Sequence, residues 1–426
     1  MKRIINKPSV CLLGLGYIGL PTAALMAGRG LEVQGVDVNP MVVEIINKGG
    51  IHIIEPDLEG LIEFAVRKKL LRAELKPKES DVFMIAVPTP FIKNATQQGI
   101  DGENKNSKEQ DKSLIPTPDI SYVVSAIESI IPLLKEGNLI IIESTSPIKT
   151  TEKMKDLIFS KRSDLRKKIY IAYCPERVLP GQMIYELEHN DRIIGGIDDE
   201  SSERAKVFYS LFVKGNLYKT NARTAEMCKL VENSFRDVNI AFANELSIIS
   251  DEADISVWEC IDLANKHPRV NILKPGPGVG GHCIAVDPWF IVSDFQKEAE
   301  LIKNARMINI NKIDWVIEKT KKNIKEFENQ KNKKPRVACM GLSYKPDIDD
   351  LRESPALQIT KRLIADGMDI IPVEPNIDKY EELEIESYQN AFDNADIIIF
   401  LVGHSEFKKF TAKEGQIVLD FCGVTQ

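Results

Sequence analysis

Apolar residues come along this chain in short, unbroken runs set between polar turns. Val10 to Leu13 is one run; Asp81 to Val87, Leu139 to Ile142 and Lys168 to Tyr173 are others, and Arg192 to Ile197 is a further short one, while Leu31 to Asp37 reads as a strand with Glu32 and Gln34 between its apolar residues. Runs this short, with little polar alternation, read as strands covered on both faces, as in a parallel sheet. From Thr224 to about Leu263 the spacing changes. Apolar residues recur every three or four positions with no Gly or Pro, which predicts one long helix. A second helical stretch, roughly Gln296 to Ile324, runs into E-F-E-N-Q-K-N-K-K-P (Glu326 to Pro335), read as a charged linker. Beyond it the strand-helix-strand pattern returns in R-V-A-C-M-G, S-P-A-L-Q-I-T-K-R-L-I-A-D-G and M-D-I-I-P-V-E-P, with D-I-I-I-F-L-V-G-H and Q-I-V-L-D-F following. The pattern predicts an α/β chain with two doubly wound parts and a long helix between them. A helix of that length links domains and offers a dimer face. The boundaries expected are 1–212, 213–325 and 335–426.

Composition narrows the function classes. The chain has 426 residues, 43% hydrophobic and 28% charged, which is globular and too long for one ordinary core. A net charge of −7 excludes a generic nucleic-acid footprint. No apolar run reaches membrane-spanning length, and M-K-R-I-I-N-K-P-S-V shows no signal-peptide core. Seven scattered cysteines without a C-x-x-C pair fit a reducing cytoplasm, and no Cys/His cluster has metal-ligand spacing, so no metal is expected.

The turn after the first strand, G-L-G-Y-I-G, supplies Gly14, Gly16, Tyr17, Ile18 and Gly19, and a helix-like stretch follows. The second strand ends in Asp37, 18 residues after Gly19. Strand, glycines, helix and acid at this spacing form the Rossmann dinucleotide fingerprint. Glycines admit a pyrophosphate, the helix N-terminus favours its charge, and the acid bonds the ribose hydroxyls. That acid would repel a 2′-phosphate, so NAD is expected over NADP. Thr89 and Thr145 end the next two strands; each can touch nicotinamide or ribose, or cap the following helix. Asn94 to Ser113 is almost free of apolar residues and reads as a long surface loop, an inert insertion or a lid.

G-P-G-V-G-G-H-C-I-A-V-D-P-W-F places Cys283 behind a run of glycines and four residues before Asp287. The glycines leave room for a substrate carbon, and positive neighbours would favour the thiolate. On the long helix Lys229, Asn233 and Arg236 fall at i, i+4 and i+7, on one face. A lysine in reach can stabilise an oxyanion or move a proton. A dinucleotide site with a nucleophilic cysteine implies oxidation of an alcohol to an aldehyde. Capture as a thiohemiacetal, a second oxidation to a thioester and hydrolysis to the acid follow, consuming two NAD.

G-L-G-Y-I-G, V-P-T-P, E-S-T-S-P, C-P-E-R, A-E-M-C-K-L-V-E-N-S-F-R, P-G-P-G-V-G-G-H-C-I-A-V-D-P and G-L-S-Y-K-P-D-I-D-D-L-R-E-S-P, in this order, resemble the UDP-glucose/GDP-mannose dehydrogenase family across nearly the whole chain. The resemblance implies two Rossmann-like doubly wound domains joined by a long central helix in a helical dimerisation region, and a homodimer. It implies the nucleophile at Cys283, the proton-transferring lysine at Lys229, and positioning of oxyanion and water by Asn233 and Asp287, with an acid near the thioester at Glu176. It further implies that Arg177, Val178, Lys229, Asn233, Arg236, His267, Arg269, Gly280, Tyr344 and Lys345 meet the UDP-sugar, His267 and Arg269 across the dimer. Arg352 would contact NAD. UDP-glucose members often carry a second glutamate where this chain has Pro180. That makes UDP-glucose less expected, while H-P-R-V-N-I-L-K-P-G-P-G-V-G-G-H-C-I-A-V-D-P-W-F resembles members acting on UDP-N-acetyl-D-mannosamine, with UDP-N-acetylglucosamine, or UDP-glucose, as the alternative.

Overall fold

The computed structural model describes residues 7–53, 55–92, 115–179, 181–281, 283–377 and 379–426; the expected loop from Asn94 to Ser113 lies outside them. The chain forms two compact units, with described residues up to Val231 in one and those from Glu232 in the other.

The first unit runs β1 (Val10–Leu13), α1 (Gly19–Gly28), β2 (Val33–Val36), α2 (Pro40–Asn47), α3 (Leu58–Arg67), β3 (Leu71–Glu74) and β4 (Val82–Ile85). It continues with α4 (Ser121–Ile130), β5 (Leu139–Ile142), α5 (Thr150–Lys161), β6 (Tyr170–Tyr173), α6 (Met183–His189), β7 (Arg192–Gly196), α7 (Asp199–Tyr209) and β8 (Leu217–Asn221). Strand order is β3-β2-β1-β4-β5-β6-β7-β8, parallel throughout except between β6 and β7. β1, β4 and β5 are buried at every position, which is why their sequences do not alternate. Val10 and Leu12 pack with α1 and α3 on one face, Cys11 and Leu13 with α4 and α5 on the other. The order reverses between β1 and β4, which opens a ligand crevice beyond their C-terminal ends. The sequence pattern misses β3 and β8. They are the edge strands, and the exposed Arg72, Tyr218 and Lys219 make them read as loop.

α8 (Ala222–Glu252) carries the chain into the second unit, and α9 (Val257–Ala264) follows. The single helix expected to Leu263 is therefore two. Asp254 takes a left-handed φ of 54°, and the Ser256 hydroxyl then accepts the Glu259 N–H at 3.3 Å to start α9. Next come α10 (Asp287–Asp294), α11 (Glu300–Lys331), β9 (Arg336–Met340), α12 (Pro355–Ala365), β10 (Asp369–Val373), α13 (Tyr388–Asn394), β11 (Ile397–Phe400) and β12 (Ile417–Asp420). The stretch read as a linker from Glu326 is the end of α11. Its one apolar residue, Phe327, is buried, and the helix closes only at Asn332 with φ 49°. The second sheet is parallel, in the order β10-β9-β11-β12. Ile313, Val316, Ile359 and Leu363 of α11 and α12 cover one face, with Ala391 and Phe407 on the other. Among the described residues no helix is long and apolar enough to cross a membrane.

Candidate active site

In the first unit, Gly14 turns the chain out of β1 with φ 95°. A Cβ there would lie 2.4 Å from the Ala86 carbonyl oxygen beyond β4. A Cβ on Gly19 would lie 1.8 Å from the Gly14 oxygen, so the turn closes only with glycine at both positions. A Cβ on Gly16 meets nothing within 4 Å, leaving open space beside the backbone. Tyr17 is exposed, and Ile18 precedes the first residue of α1. Asp37 follows β2 and accepts the Leu15 N–H at 3.0 Å and the Asn39 N–H at 2.9 Å. The acid is thereby oriented beside the turn and stays partly exposed. His52 belongs to the same corner and was not singled out from sequence. Burial pushes its pKa down, against the pull of Asp37. Open glycine turn and oriented acid together fit NAD.

Thr89 is buried beyond β4 and Thr145 half-buried beyond β5. Neither caps a helix. The start of α5 is held by Glu226, which accepts the Lys149 N–H at 2.6 Å and the Thr151 N–H at 2.8 Å. Asp119 accepts the Ser121 N–H at the start of α4 at 2.8 Å.

Glu176 is buried after β6. One oxygen accepts from the Arg192 guanidinium and the other from the Arg177 N–H at 2.6 Å. Arg192, in β7, also lies 3.5 Å from Glu143, which accepts the Tyr209 hydroxyl at 2.6 Å. Two carboxylates thus share one buried guanidinium. Burial pushes Glu143 up to about 7, against the opposing pull of Arg192. The Arg177 guanidinium donates to the Asp191 carbonyl. Val178 is half-buried in the same loop, and Glu55 holds that loop's far end through the Gly181 and Met183 N–H groups, both at 2.7 Å. Sequence reading missed Glu55, Glu143 and Arg192. The available signal was charge beside runs otherwise fit for burial.

In the second unit, Cys283 is exposed one turn ahead of α10; its carbonyl accepts the Val286 N–H at 3.1 Å and the Asp287 N–H at 2.8 Å. Asp287 is buried in the first turn of α10 and accepts the Asn233 amide of α8 at 2.6 Å. The glycine loop before the cysteine is held from beneath. Asn244 Oδ1 accepts the Gly276 N–H at 2.8 Å, Asn309 Oδ1 accepts the Asn244 amide at 2.9 Å, and Asp237 accepts the Asn309 amide at 2.8 Å. Arg306 completes this buried relay between α8 and α11 with an ion pair to Asp237 at 2.5 Å. A Cβ on Gly280 would lie 2.8 Å from Tyr344 Cβ, and one on Gly281 2.9 Å from the Tyr344 ring. The glycines are thus required where the Tyr344 loop packs against them. A cavity of about 590 Å³ in this unit is lined by residues that include Lys274, Gly276, Tyr344, His404 and Lys408. Walls of mixed polarity with two lysines suit an anionic ligand.

The structure therefore brings Cys283, Asp287, Asn233, Gly280 and Tyr344 into one neighbourhood. Lys229 and Arg236 share α8 with Asn233, Lys229 half-buried and Arg236 exposed. Lys345 is exposed, and Arg352 is paired with Asp350 at 3.0 and 2.6 Å. His267 and Arg269 stand on an exposed loop after α9, where the Arg269 N–H reaches the His267 ring at 3.3 Å.

Three segments match the UDP-glucose/GDP-mannose dehydrogenase family: its NAD binding domain over residues 8–213, its central domain over 223–311 and its UDP binding domain over 338–426. The chain is 50% identical to the UDP-N-acetyl-D-mannosamine dehydrogenase of Campylobacter jejuni, with 97% of this chain and 98% of that one covered. It is 46% identical to the NDP-N-acetyl-D-galactosaminuronic acid dehydrogenase of Ralstonia nicotianae, covering 99% and 97%. The UDP-D-ManNAc dehydrogenase structure from Pyrococcus horikoshii matches with a TM-score of 0.84 at 36% identity, covering 98% and 96%.

Proposed function

The chain belongs to the UDP-glucose/GDP-mannose dehydrogenase family, an NAD-binding nucleotide-sugar dehydrogenase, and from that premise we propose that it oxidises the C6 alcohol of UDP-N-acetyl-D-mannosamine to the carboxylate. The observation that carries the reading is an exposed Cys283 on a glycine loop beside the buried Asp287 and its half-buried partner Asn233.

The Gly14–Gly19 turn, Asp37, Thr89, Thr145 and Arg352 would hold NAD, which would supply the hydride acceptor for each of the two oxidations. Lys229 removes the proton of the C6 hydroxyl as the aldehyde forms. The Cys283 thiolate adds to the aldehyde carbon, and loss of the second hydride from that carbon leaves a thioester. Asn233 gives one amide hydrogen to Asp287 and has a second to offer an oxyanion. Asp287 orients the water that attacks the thioester. The C–S bond then breaks, and sulfur leaves as thiolate. One sugar, two NAD and one water balance to the acid, two NADH and three protons. Glu176, with both oxygens engaged, orients Arg177 and Val178 and leaves base duty to Asp287 and Lys229.

Arg177, Val178, Arg236, Gly280, Tyr344 and Lys345 line the UDP-sugar site in this reading. His267 and Arg269 reach it from the partner of a homodimer. An apolar stripe along α8 supports the dimer: Val231, Phe235, Phe242 and Ile249 are all exposed at near-heptad spacing, Phe235 by 68%. The three matched segments support a division into 1–212 for NAD, 213–325 for dimerisation and 335–426 for UDP. A cytoplasmic location fits seven cysteines in no disulfide.

The test is product analysis with NAD and UDP-N-acetylmannosamine, -galactosamine and -glucosamine, and UDP-glucose. The galactosamine sugar is included because a relative named for that uronate is 46% identical. Two NADH per mannosamine sugar and an acid product are expected, with no acid from Cys283→Ala. One NADH per sugar, or undiminished acid from that variant, defeats the mechanism. Preference for another sugar corrects the substrate alone.

A further inference from the structure

The second sheet repeats a device of the first with one change. Gly341, φ 90°, turns the chain after β9 as Gly14 does after β1, and Glu374 follows β10 where Asp37 follows β2. Asp37 remains partly exposed, whereas Glu374 is only 3% exposed. Glu374 Oε2 accepts the Leu342 N–H at 2.8 Å and the Ser343 N–H at 2.9 Å, and faces His404 Nε2 at 3.1 Å. Its Oε1 accepts the Asn376 N–H at 3.1 Å. The acid that reads a ribose in a dinucleotide fold is here spent on its own backbone.

His404 is fully buried at the edge of the cavity. Its Nδ1 accepts the Asp347 N–H at 3.0 Å, which leaves the ring hydrogen on Nε2, pointing at Glu374. The same contacts occupy both ring nitrogens, so Asp347, His404 and Glu406, though close enough to chelate a cation, do not form an available set. Ser343 Oγ donates to the Lys345 carbonyl at 2.8 Å. The loop bearing Tyr344 and Lys345 is thus tied at Leu342, Ser343, Lys345 and Asp347.

We propose that Glu374 and His404 are positioning residues that hold the Leu342–Asp347 loop in the form that binds the UDP part of the substrate. The inference rests on the reading of this domain as the UDP-binding one. Neither residue touches the reacting carbon in this scheme. Their loss should act on affinity and spare the chemical step.

The experiment is calorimetric titration of the full chain with UDP, alongside steady-state kinetics. His404→Ala removes the ring's contacts with Asp347, Glu374, Asn376 and Ser343. His404→Asn keeps an acceptor near Asp347, and His404→Gln keeps a donor for Glu374. For the alanine variant, UDP affinity is expected to fall about tenfold or more and KM for the UDP-sugar to rise in step, because a buried hydrogen bond to a charged group is lost. kcat should stay within about twofold, and the Asn and Gln variants should each recover part of the loss. NAD affinity, read by fluorescence, should not change. If the alanine variant loses NAD binding through misfolding, the Asn and Gln variants carry the test. Unchanged UDP affinity in folded variants, or a fall in kcat at constant KM, overturns the proposal. Failure of the unsubstituted chain to bind UDP overturns the reading beneath it.

Discussion

Arg192 holds two carboxylates with one charge, and the cost of that arrangement falls on Glu143. Burial raises its pKa from the ordinary 4.5 to about 7. Between those values the folded state binds more protons than the unfolded chain, so stability falls as pH rises through that window. Glu143→Gln removes the ionisation and keeps an acceptor for Tyr209. The expected result is a flatter dependence of Tm on pH between pH 5 and 8, with the variant gaining most at the alkaline end; parallel Tm curves would contradict it. Legibility at this scale divides by how a residue is coded. Cys283, Asp287 and Asn233 sit in sequence motifs that mark them as candidates, and the structure seats Asn233 on Asp287. Arg192, Glu143 and Glu55 act through partners 16 to 128 positions away. A charge in an apolar run shows that a partner exists but not which one.

Among the elements, the glycine loop ahead of Cys283 owes its place to amide side chains on two helices, α8 and α11. Asn244 of α8 passes a hydrogen bond from Gly276 to Asn309 of α11. Asn244→Ala leaves the half-buried Gly276 N–H and the buried Asn309 Oδ1 unmatched. Stability should fall by about 1–3 kcal/mol in urea unfolding. kcat should fall about tenfold or more as the cysteine loses its support, since small misplacements are costly in rate. A normal kcat would show that the loop holds itself. Helices and central strands were legible from periodicity because burial on both faces leaves continuous apolar runs. The break at Asp254 was not, because a left-handed aspartate followed by a capping serine needs neither Gly nor Pro. The end of α11 was misread because a single buried Phe327 outweighs the charged residues around it.

For the molecule as a whole, the apolar stripe on α8 is the open question that oligomeric state answers. Phe235→Asp with Phe242→Asp places two charges on exposed aromatic positions of one helix face. If two chains pair along that stripe, light scattering should report half the mass of the unsubstituted protein, with activity lost if His267 and Arg269 serve the neighbouring chain. Unchanged mass would locate the pairing surface elsewhere. α8 has another consequence, for anyone dissecting the gene. The border between the two units falls inside it, between Val231 and Glu232. Scissors at that point would strand the last carbonyls of the helical ladder without donors. Stopping later, at Glu252, would keep the ladder but bare Asp237 and Asn244, which are completely covered in the intact chain. Neither of these two cuts excises a half cleanly.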